Sequence, residues 1–256
     1  MRILVTNDDG VHSDGIFALK TELAKIGEVF VVAPERPRSA AAHAITLHKP
    51  VRLTKVALRD GSEGYAVSGT PADCVVLGAQ EVMDNRVDLV VSGINHGPNL
   101  GWDVHYSGTV AAAKEAAMIG HRSIAISVAS YAPEARFDVA ARFAVVMAER
   151  IAENPLPIGA VVNVNVPDVA PEEILGAVIT YQGPRQYVDR FERRTDPSGR
   201  SYYWLGGTLA DGRSPEGSDV HAIAENLISV TPLQLDMTSY DLLDEVRGWK
   251  PFPKIV

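Results

Sequence analysis

The chain has 256 residues, of which 46% are hydrophobic and 22% charged, with a formal net charge of −8 and a single cysteine, Cys74. These totals exclude an intrachain disulfide framework and a multi-thiolate metal site. They also disfavour nucleic acid and membrane as partners, because the sequence has no run of five or more Lys and Arg residues and no apolar segment of membrane-spanning length. We expect one domain over residues 1–256, located in the reducing cytoplasm.

Five short β-branched segments bounded by turn residues are predicted to be strands. They are ILVT (3–6), VFVVAP (29–34), DLVVSG (88–93), SIAISV (123–128) and VVNVNV (161–166). Their near-continuous hydrophobicity is typical of strands covered on both faces, and helical patterns lie between them. The alternation predicts an α/β protein with a doubly wound parallel sheet.

Two helices are predicted from apolar residues that recur at helical spacing. The residues that define these faces are, in the first helix, Ile16, Leu19, Leu23 and Ile26 and, in the second, Phe143, Val146, Met147 and Ile151. Gly27 and Pro155 are expected to end the two helices.

Two more helices are predicted from their capping residues. Thr70-Pro71-Ala72-Asp73 places Thr70 at the N-cap, with Asp73 positioned to bond back as in a capping box. Thr238-Ser239-Tyr240-Asp241 repeats this pattern before a C-terminal helix over residues 242–246. Cys74, inside the apolar part of the first of these helices, is expected to be a core residue.

Residues 182–222 differ from the rest of the chain because they are polar, rich in Gly and Arg, and contain the aromatic cluster Tyr202-Tyr203-Trp204. The turn segment DPSGR (196–200) predicts a β-hairpin arm inserted in the domain. Because such an arm cannot form its own core, we expect it to pack on another subunit, and packing on its own domain is the alternative.

Polar residues cluster at the predicted carboxyl ends of three strands. They are Asn7, Asp8 and Asp9 after the first strand, Arg36, Arg38 and Ser39 after the second, and Asn95, His96 and Asn99 after the third. In an open parallel sheet, ligands bind beside the point where strand order reverses, at the carboxyl ends of the strands. The three stretches are therefore predicted to converge on one site.

The adjacent carboxylates Asp8 and Asp9 suggest a cation site. Two carboxylates about 4 Å apart repel each other by roughly 4 kcal/mol at an effective dielectric constant near 20, so a proton or a cation is needed between them. With Ser39 and Asn95 as further ligands, the oxygen-only set favours Mg²⁺, Mn²⁺ or Ca²⁺ over Zn²⁺. The alternative is that both aspartates cap a turn before the first helix.

The stretch 92–120 combines a glycine-bearing loop with a helix predicted over 110–119 and ended by Gly120. Backbone N–H groups and the positive end of the helix dipole make such a helix start an anion site. Ser107, Gly108 and Thr109 are the predicted phosphate donors there, although the two hydroxyl residues are equally suited to capping, and Asn99 is predicted to orient phosphate or water. No phosphate-loop or dinucleotide-binding motif occurs, so no organic cofactor is predicted.

Four other polar side chains have groups that could take part in chemistry. His43, His96 and His105 are candidates for acid-base groups, but a lone histidine is more often a structural hydrogen-bonding residue. Lys114, on the predicted helix, is expected to point to solvent.

A divalent cation beside a helix start that accepts an anion is suited to phosphoryl transfer. The cation would polarise the P–O bond and lower the pKa of a water molecule that attacks in line, while the N–H groups stabilise the developing charge. Asp8, Asp9 and Asn95 are thus the predicted catalytic residues, and Asp8 has the alternative role of general base.

The chain resembles the SurE family of survival proteins, which are metal-dependent 5′/3′-nucleotidases, over nearly its full length. The segments that carry the resemblance are ILVTNDDG (3–10), APERPRS (33–39), SGTPADCV (68–75), SGINHGPNLGWDVHYSGTVAAA (92–113), VNVNVP (162–167) and SVTPLQLDMT (229–238).

This resemblance implies a Rossmann-like core and the hydrolysis of nucleoside monophosphates to nucleoside and phosphate. It implies one divalent ion per subunit at Asp8, Asp9, Ser39 and Asn95, with Mg²⁺ or Mn²⁺ as the working metal and Ca²⁺ able to occupy the site. It also implies a homodimer or homotetramer built partly through an exchanged hairpin arm, in agreement with the reading of residues 182–222.

The chain departs from the family pattern at two places. Ser39-Ala40-Ala41-Ala42-His43 stands where Ser-Gly-Ala-Ser-His is common, and Lys114-Glu115-Ala116 stands where Glu-Gly is usual. Neither departure changes a predicted metal ligand, so both concern loop geometry and substrate preference.

Two alternative functions follow from the same residues. Asp8 could be a covalent nucleophile, although phosphatases of that type use an Asp-x-Asp spacing and this chain has adjacent aspartates. The second alternative is a noncatalytic sensor that binds metal and nucleotide without turnover.

Overall fold

The computed structural model describes residues 1–185, 187–188, 191–206, 208–209 and 214–249. No helix in these ranges has the length and apolar character needed to cross a membrane. The described residues form thirteen strands: β1 (Arg2–Thr6), β2 (Glu28–Pro34), β3 (Leu53–Ala57), β4 (Glu63–Val67), β5 (Leu89–His96), β6 (Ser123–Val128), β7 (Ala160–Val166), β8 (Ala177–Ile179), β9 (Tyr187–Val188), β10 (Phe191–Thr195), β11 (Ser201–Leu205), β12 (Thr208–Leu209) and β13 (Ile228–Gln234).

Nine of these strands form one sheet in the order β3-β4-β2-β1-β5-β6-β7-β13-β8. The six neighbouring strands from β4 to β7 are parallel, whereas β3 is antiparallel to β4 and β13 is antiparallel to β7. All five predicted strands are present, and the mostly parallel sheet is confirmed. Strand β5 extends three residues beyond its predicted end, so part of the predicted loop is strand.

Six α-helices accompany the strands: α1 (Asp14–Leu23), α2 (Pro71–Leu77), α3 (Gly108–Met118), α4 (Asp138–Glu153), α5 (Asp219–Ala224) and α6 (Tyr240–Arg247). Helices α1 and α4 share one core cluster with the Ile3 and Val5 side of the sheet. Helices α2 and α3 share another with Leu4, on the opposite face. Alternate residues of one buried strand thus face different helix layers, which confirms the doubly wound arrangement.

The capping box at the start of α2 is confirmed, because Thr70 accepts a hydrogen bond from the Asp73 backbone N–H and the Asp73 carboxylate accepts one from the Thr70 backbone N–H. Cys74 in this helix is buried in the core, as predicted.

The helix faces were predicted less accurately. Helix α1 ends at Leu23, so Ile26 lies outside it. In α4 the predicted face is wrong at Val146, which is 46% exposed. The residues of α4 buried in the core are mainly alanines, namely Ala140, Ala141, Ala144 and Ala148, together with Ile151. Small side chains allow the helix to approach its neighbours closely, and a reading based on large apolar residues misses them.

The predicted cap of the C-terminal helix is also wrong. Ser239 is the N-cap of α6 and makes no side-chain capping bond. The carboxylate of Asp236 instead accepts hydrogen bonds from the Thr238 backbone N–H and the Tyr240 hydroxyl. The Asp236 side chain, upstream of the helix, thus makes the hydrogen bonds at this helix start in place of the predicted capping box.

The described part of the predicted arm is a hairpin of β10 and β11, which pair antiparallel around the DPSGR turn. Asp196 closes the turn by accepting hydrogen bonds from the backbone N–H groups of Ser198 and Arg200, both at 2.9 Å. Strands β9 and β12 pair at its base, and the last residues of the predicted range 182–222 belong to α5. Residues 186, 189–190, 207 and 210–213 of that range lie outside the described residues.

Candidate active site

The predicted site lies where the strand order of the sheet reverses. The chain passes from β1 to β2 on one side and later returns to β5 on the other side of β1. The loops that follow β1, β2 and β5 therefore meet at the carboxyl edge of the sheet, which is where open α/β sheets bind ligands.

Asn7 stabilises the first corner of the site, which is the turn that follows β1. Its side-chain amide donates hydrogen bonds to the Gly10 carbonyl at 3.2 Å and to the Ser13 hydroxyl at 2.7 Å, and its oxygen accepts one from the Gly10 N–H at 3.0 Å. Ser13 then caps α1. Asn7 and Ser13 thus form the turn that the alternative reading assigned to the aspartates, and Asp8 and Asp9 make contacts elsewhere.

Asp8 is 4% exposed and lies against the start of α3. Its carboxylate accepts a hydrogen bond from the Thr109 hydroxyl. A methyl group added to Gly108 would lie 2.9 Å from the Asp8 Cβ and 3.0 Å from Oδ2. Burial, reinforced by the charge of Asp9 and partly offset by the Thr109 bond, raises the pKa of Asp8 from 3.8 to about 6.

Asp9 connects the first corner to β5. Its carboxylate accepts a hydrogen bond from the His96 backbone N–H at 3.0 Å. Burial raises the pKa of Asp9, and the His96 N–H partly opposes that rise. The backbone N–H of Arg38 donates to the Asp8 carbonyl at 2.7 Å. The structure therefore brings together all three stretches that the sequence predicted to converge.

The two remaining predicted metal ligands lie on these stretches. The Asn95 side-chain N–H donates to the Gly97 carbonyl at 2.7 Å, which leaves the amide oxygen for another partner. Ser39 follows Arg38 directly and its side chain is exposed.

The donor set fits a hard divalent cation. Asp8, Asp9, Asn95 and Ser39 offer only oxygen, and burial raises the pKa of both aspartates, so a positive charge beside them would favour their ionised forms. Within the described ranges, no group of three or more His, Cys, Asp or Glu side chains is placed to hold a metal ion. An ion at this corner would therefore depend on the amide and hydroxyl oxygens as well as on the two carboxylates.

The predicted phosphate donors lie at the beginning of α3, next to Asp8. The Ser107 oxygen caps the helix by accepting a hydrogen bond from the Val110 N–H at 3.0 Å, so its own proton is still available to a ligand. Gly108 is the first helical residue, and its N–H has no partner within the helix. The hydroxyl and the backbone N–H of Thr109 are both directed to Asp8.

Asn99 lies in a buried amide network. Its side-chain N–H donates to the Ser127 hydroxyl at 2.8 Å, its backbone N–H donates to the Asn165 side chain at 2.8 Å, and its carbonyl accepts from Asn163 and Asn165. These contacts hold the loop after β5. The sequence reading missed Asn163 and Asn165, although two asparagines spaced two apart in a buried strand share a face and need polar partners.

Of the three candidate histidines, His43 and His96 make contacts with other side chains or the backbone, and His105 is exposed. His43 lies 2.8 Å from Glu115 of α3. The ring of His96 bonds to the Ala132 carbonyl at 2.7 Å and contacts the ring of Phe137 edge-on. Lys114 is partly buried, contrary to prediction, and burial lowers its pKa.

A buried carboxylate, Asp219, joins the site loop to the base of the arm. It accepts hydrogen bonds from the backbone N–H groups of Gly101 at 2.7 Å and Gly183 at 2.8 Å. Arg185 and Asp103 form an ion pair at 2.6 Å beside it.

Comparison with known proteins shows similarity over nearly the full chain. A family model described as "Survival protein SurE" matches residues 3–189. The "5'-nucleotidase SurE" of Herpetosiphon aurantiacus is 52% identical, with 94% of this chain and 95% of the relative covered, and that of Pelobacter propionicus is 49% identical, with 97% and 99% covered. The crystal structure of the SurE protein from Aquifex aeolicus superposes with a TM-score of 0.85 at 38% identity, with 96% of this chain and 98% of that chain covered.

Proposed function

The chain belongs to the SurE family, and from that premise we propose that it is a metal-dependent phosphomonoesterase that hydrolyses nucleoside 5′-monophosphates to nucleoside and phosphate. The observation that carries this proposal is the contact of Asp8 with the first turn of α3, next to Asp9, whose carboxylate accepts a hydrogen bond from the His96 N–H. Paired carboxylates can bind a cation, and the helix start can bind a phosphate beside it.

Asp8 and Asp9 would hold the divalent ion, with Asn95 and Ser39 completing the protein ligands. Mg²⁺ or Mn²⁺ fits these oxygen donors. When bound, such an ion supplies Lewis acidity toward the phosphoryl oxygens and lowers the pKa of a water molecule.

The chain's own groups would orient the ester. The Ser107 hydroxyl and the Gly108 N–H would donate hydrogen bonds to the phosphate, and Thr109 would hold Asp8 in place through its hydroxyl and its backbone N–H. Asn99 would support this surface through the loop that its amide network fixes. In the alternative role of general base, Asp8 would accept a proton from the attacking water.

We propose that the arm mediates assembly into a homodimer or homotetramer in the cytoplasm. Its side chains project from the domain: Phe191 is 69% exposed and Trp204 is 59% exposed. Aromatic residues at this level of exposure on a paired hairpin are typical of a protein–protein contact.

The test is phosphate release from AMP and GMP with Mg²⁺ or Mn²⁺, before and after chelation. We expect activity only with metal, and we expect Asp8→Asn and Asp9→Asn to lower it by at least about a hundredfold. Asp84→Asn, at an exposed turn, is the matched control. Metal-independent turnover would contradict the proposal, whereas phosphoenzyme trapped on Asp8 would establish the covalent route and nucleotide binding without turnover would establish a sensor.

A further inference from the structure

An exposed aromatic ring lies beside the candidate active site. Tyr131, in the loop between β6 and α4, is 70% exposed. Its ring nevertheless packs on the backbone of Gly97: a methyl group built on that glycine would lie 2.4 Å from the ring Cε1 and 3.0 Å from Cδ1. Gly97 has a φ of +117°, so both its backbone conformation and this contact require glycine.

Gly97 is also the residue that orients Asn95. Its carbonyl accepts the Asn95 side-chain N–H at 2.7 Å. Two residues of extended chain span at most about 7 Å, so the Tyr131 ring lies close to Asn95, one of the proposed metal ligands. A nucleoside monophosphate anchored by its phosphate at α3 extends its sugar and base over such a distance.

The loop that presents the ring is fixed to the site. The His96 ring bonds to the Ala132 carbonyl at 2.7 Å, and the His96 backbone binds Asp9. The Ala132 N–H donates to the Ser130 hydroxyl at 3.2 Å. An aromatic face that is held rigidly in an exposed position can stack on a ligand with little loss of conformational entropy.

We infer that Tyr131 is a stacking platform for the nucleobase of the substrate and thereby contributes to the preference for nucleotides over base-free phosphate esters. The inference rests on the proposed function, since it presumes a phosphate anchored at the start of α3. Stacking on an aromatic ring tolerates any base because each base has a π-face, so the platform would serve purine and pyrimidine nucleotides alike.

The first test compares kcat/KM for AMP with kcat/KM for ribose 5-phosphate, which lacks a base. We expect Tyr131→Ala to lower the ratio of the two values about five- to tenfold, mainly through KM for AMP, and Tyr131→Phe to restore it because the ring is retained. An unchanged ratio, or equal losses on both substrates, would overturn the inference. Trp102 and Tyr106 are exposed aromatic residues of the short 3₁₀ helix Gly101–His105 and its C-cap, before α3. An altered ratio in Trp102→Ala or Tyr106→Ala but not in Tyr131→Ala would place the base on this helix instead.

The second test needs no turnover and separates this inference from the proposed function. Titration calorimetry with adenosine, which cannot be hydrolysed as a phosphate ester, is expected to show a Kd about five- to tenfold weaker for Tyr131→Ala than for the unsubstituted protein. Equal Kd values, or no measurable binding of adenosine to either protein, would refute the platform even if AMP is hydrolysed. Thermal midpoints of the two proteins should agree, because the side chain is largely exposed.

Discussion

The buried position of Asp8 should destabilise the metal-free protein at neutral pH. Its pKa is raised from 3.8 to about 6 in the folded state, chiefly by burial, and at about 1.36 kcal/mol per pKa unit this difference amounts to roughly 3 kcal/mol. The folded state binds the Asp8 proton more tightly than the unfolded state. Stability therefore falls as pH rises between about 4 and 6 and stays lower above pH 6.

Replacing Asp8 by Asn removes the charge and keeps an oxygen to accept the Thr109 hydroxyl proton. We expect Asp8→Asn to abolish activity and to raise the free energy of unfolding at pH 7.5, in EDTA, by up to about 3 kcal/mol. For a chain of this length that corresponds to roughly 6–12 °C in thermal midpoint. The gain should shrink to about 0.5 kcal/mol at pH 4 and approach zero only well below the unfolded-state pKa of 3.8, where the wild-type carboxyl is protonated in both states.

Urea unfolding from pH 4 to 8 in EDTA measures this effect directly. Asp84→Asn, which alters an exposed carboxylate, serves as the control and should leave the pH dependence unchanged. If Asp8→Asn is no more stable than the wild type at pH 7.5, or if its advantage persists unchanged at pH 4, the account of a charge destabilised by burial is wrong.

Three other substitutions test the contacts around the corner. Thr109→Val deletes the hydroxyl that lowers the pKa of Asp8, and it should weaken Mn²⁺ binding about tenfold, measured by the metal-induced shift in thermal midpoint. Gly108→Ala places a methyl group 2.9 Å from the Asp8 Cβ and should lower kcat about a hundredfold by displacing the carboxylate. Asn165→Ala leaves the buried Asn99 N–H without its side-chain acceptor and should reduce the free energy of unfolding by about 1–3 kcal/mol in urea titrations.

The first two of these substitutions have matched controls. Thr109→Ser retains the hydroxyl and should bind Mn²⁺ nearly as well as the wild type. Gly206→Ala adds a methyl group where no atom lies within 4 Å, so kcat should not change. Equal metal binding in Thr109→Val and Thr109→Ser, or full activity in Gly108→Ala, would show that these contacts do not position Asp8.

The strands and the edge of the sheet that carries the site could be predicted because they depend on local patterns. Continuous β-branched segments specify buried strands, and the polar residues that follow them fall at one edge by the geometry of a parallel sheet. The bonds that assemble the corner could not be predicted, since they join residues far apart in sequence. Thr109 and Asp8 are separated by 101 positions and His96 and Asp9 by 87.

The role of individual polar side chains was harder to predict than their location. Asn99 follows β5 as predicted, but its side chain is bound to Ser127. The prediction for α4 was wrong at Val146, which is exposed, because the side chains that this helix buries are mainly alanines. In both cases the partner of the side chain depends on how a neighbouring element packs against it, and this packing cannot be read from a single sequence.

The attachment of Asp219 to both Gly101 and Gly183 limits how the protein can be cut for engineering. A truncation that removes the whole range 182–222 would also remove Asp219, and with it the hydrogen bond that holds Gly101 in the loop before α3. A variant that lacks only β10, β11 and their turn, with a short linker in their place, keeps the hydrogen bonds of Asp219 to Gly101 and Gly183. This variant would separate the effect of losing the proposed subunit contacts from the effect of losing the hydrogen bonds that hold the loop beside the candidate active site.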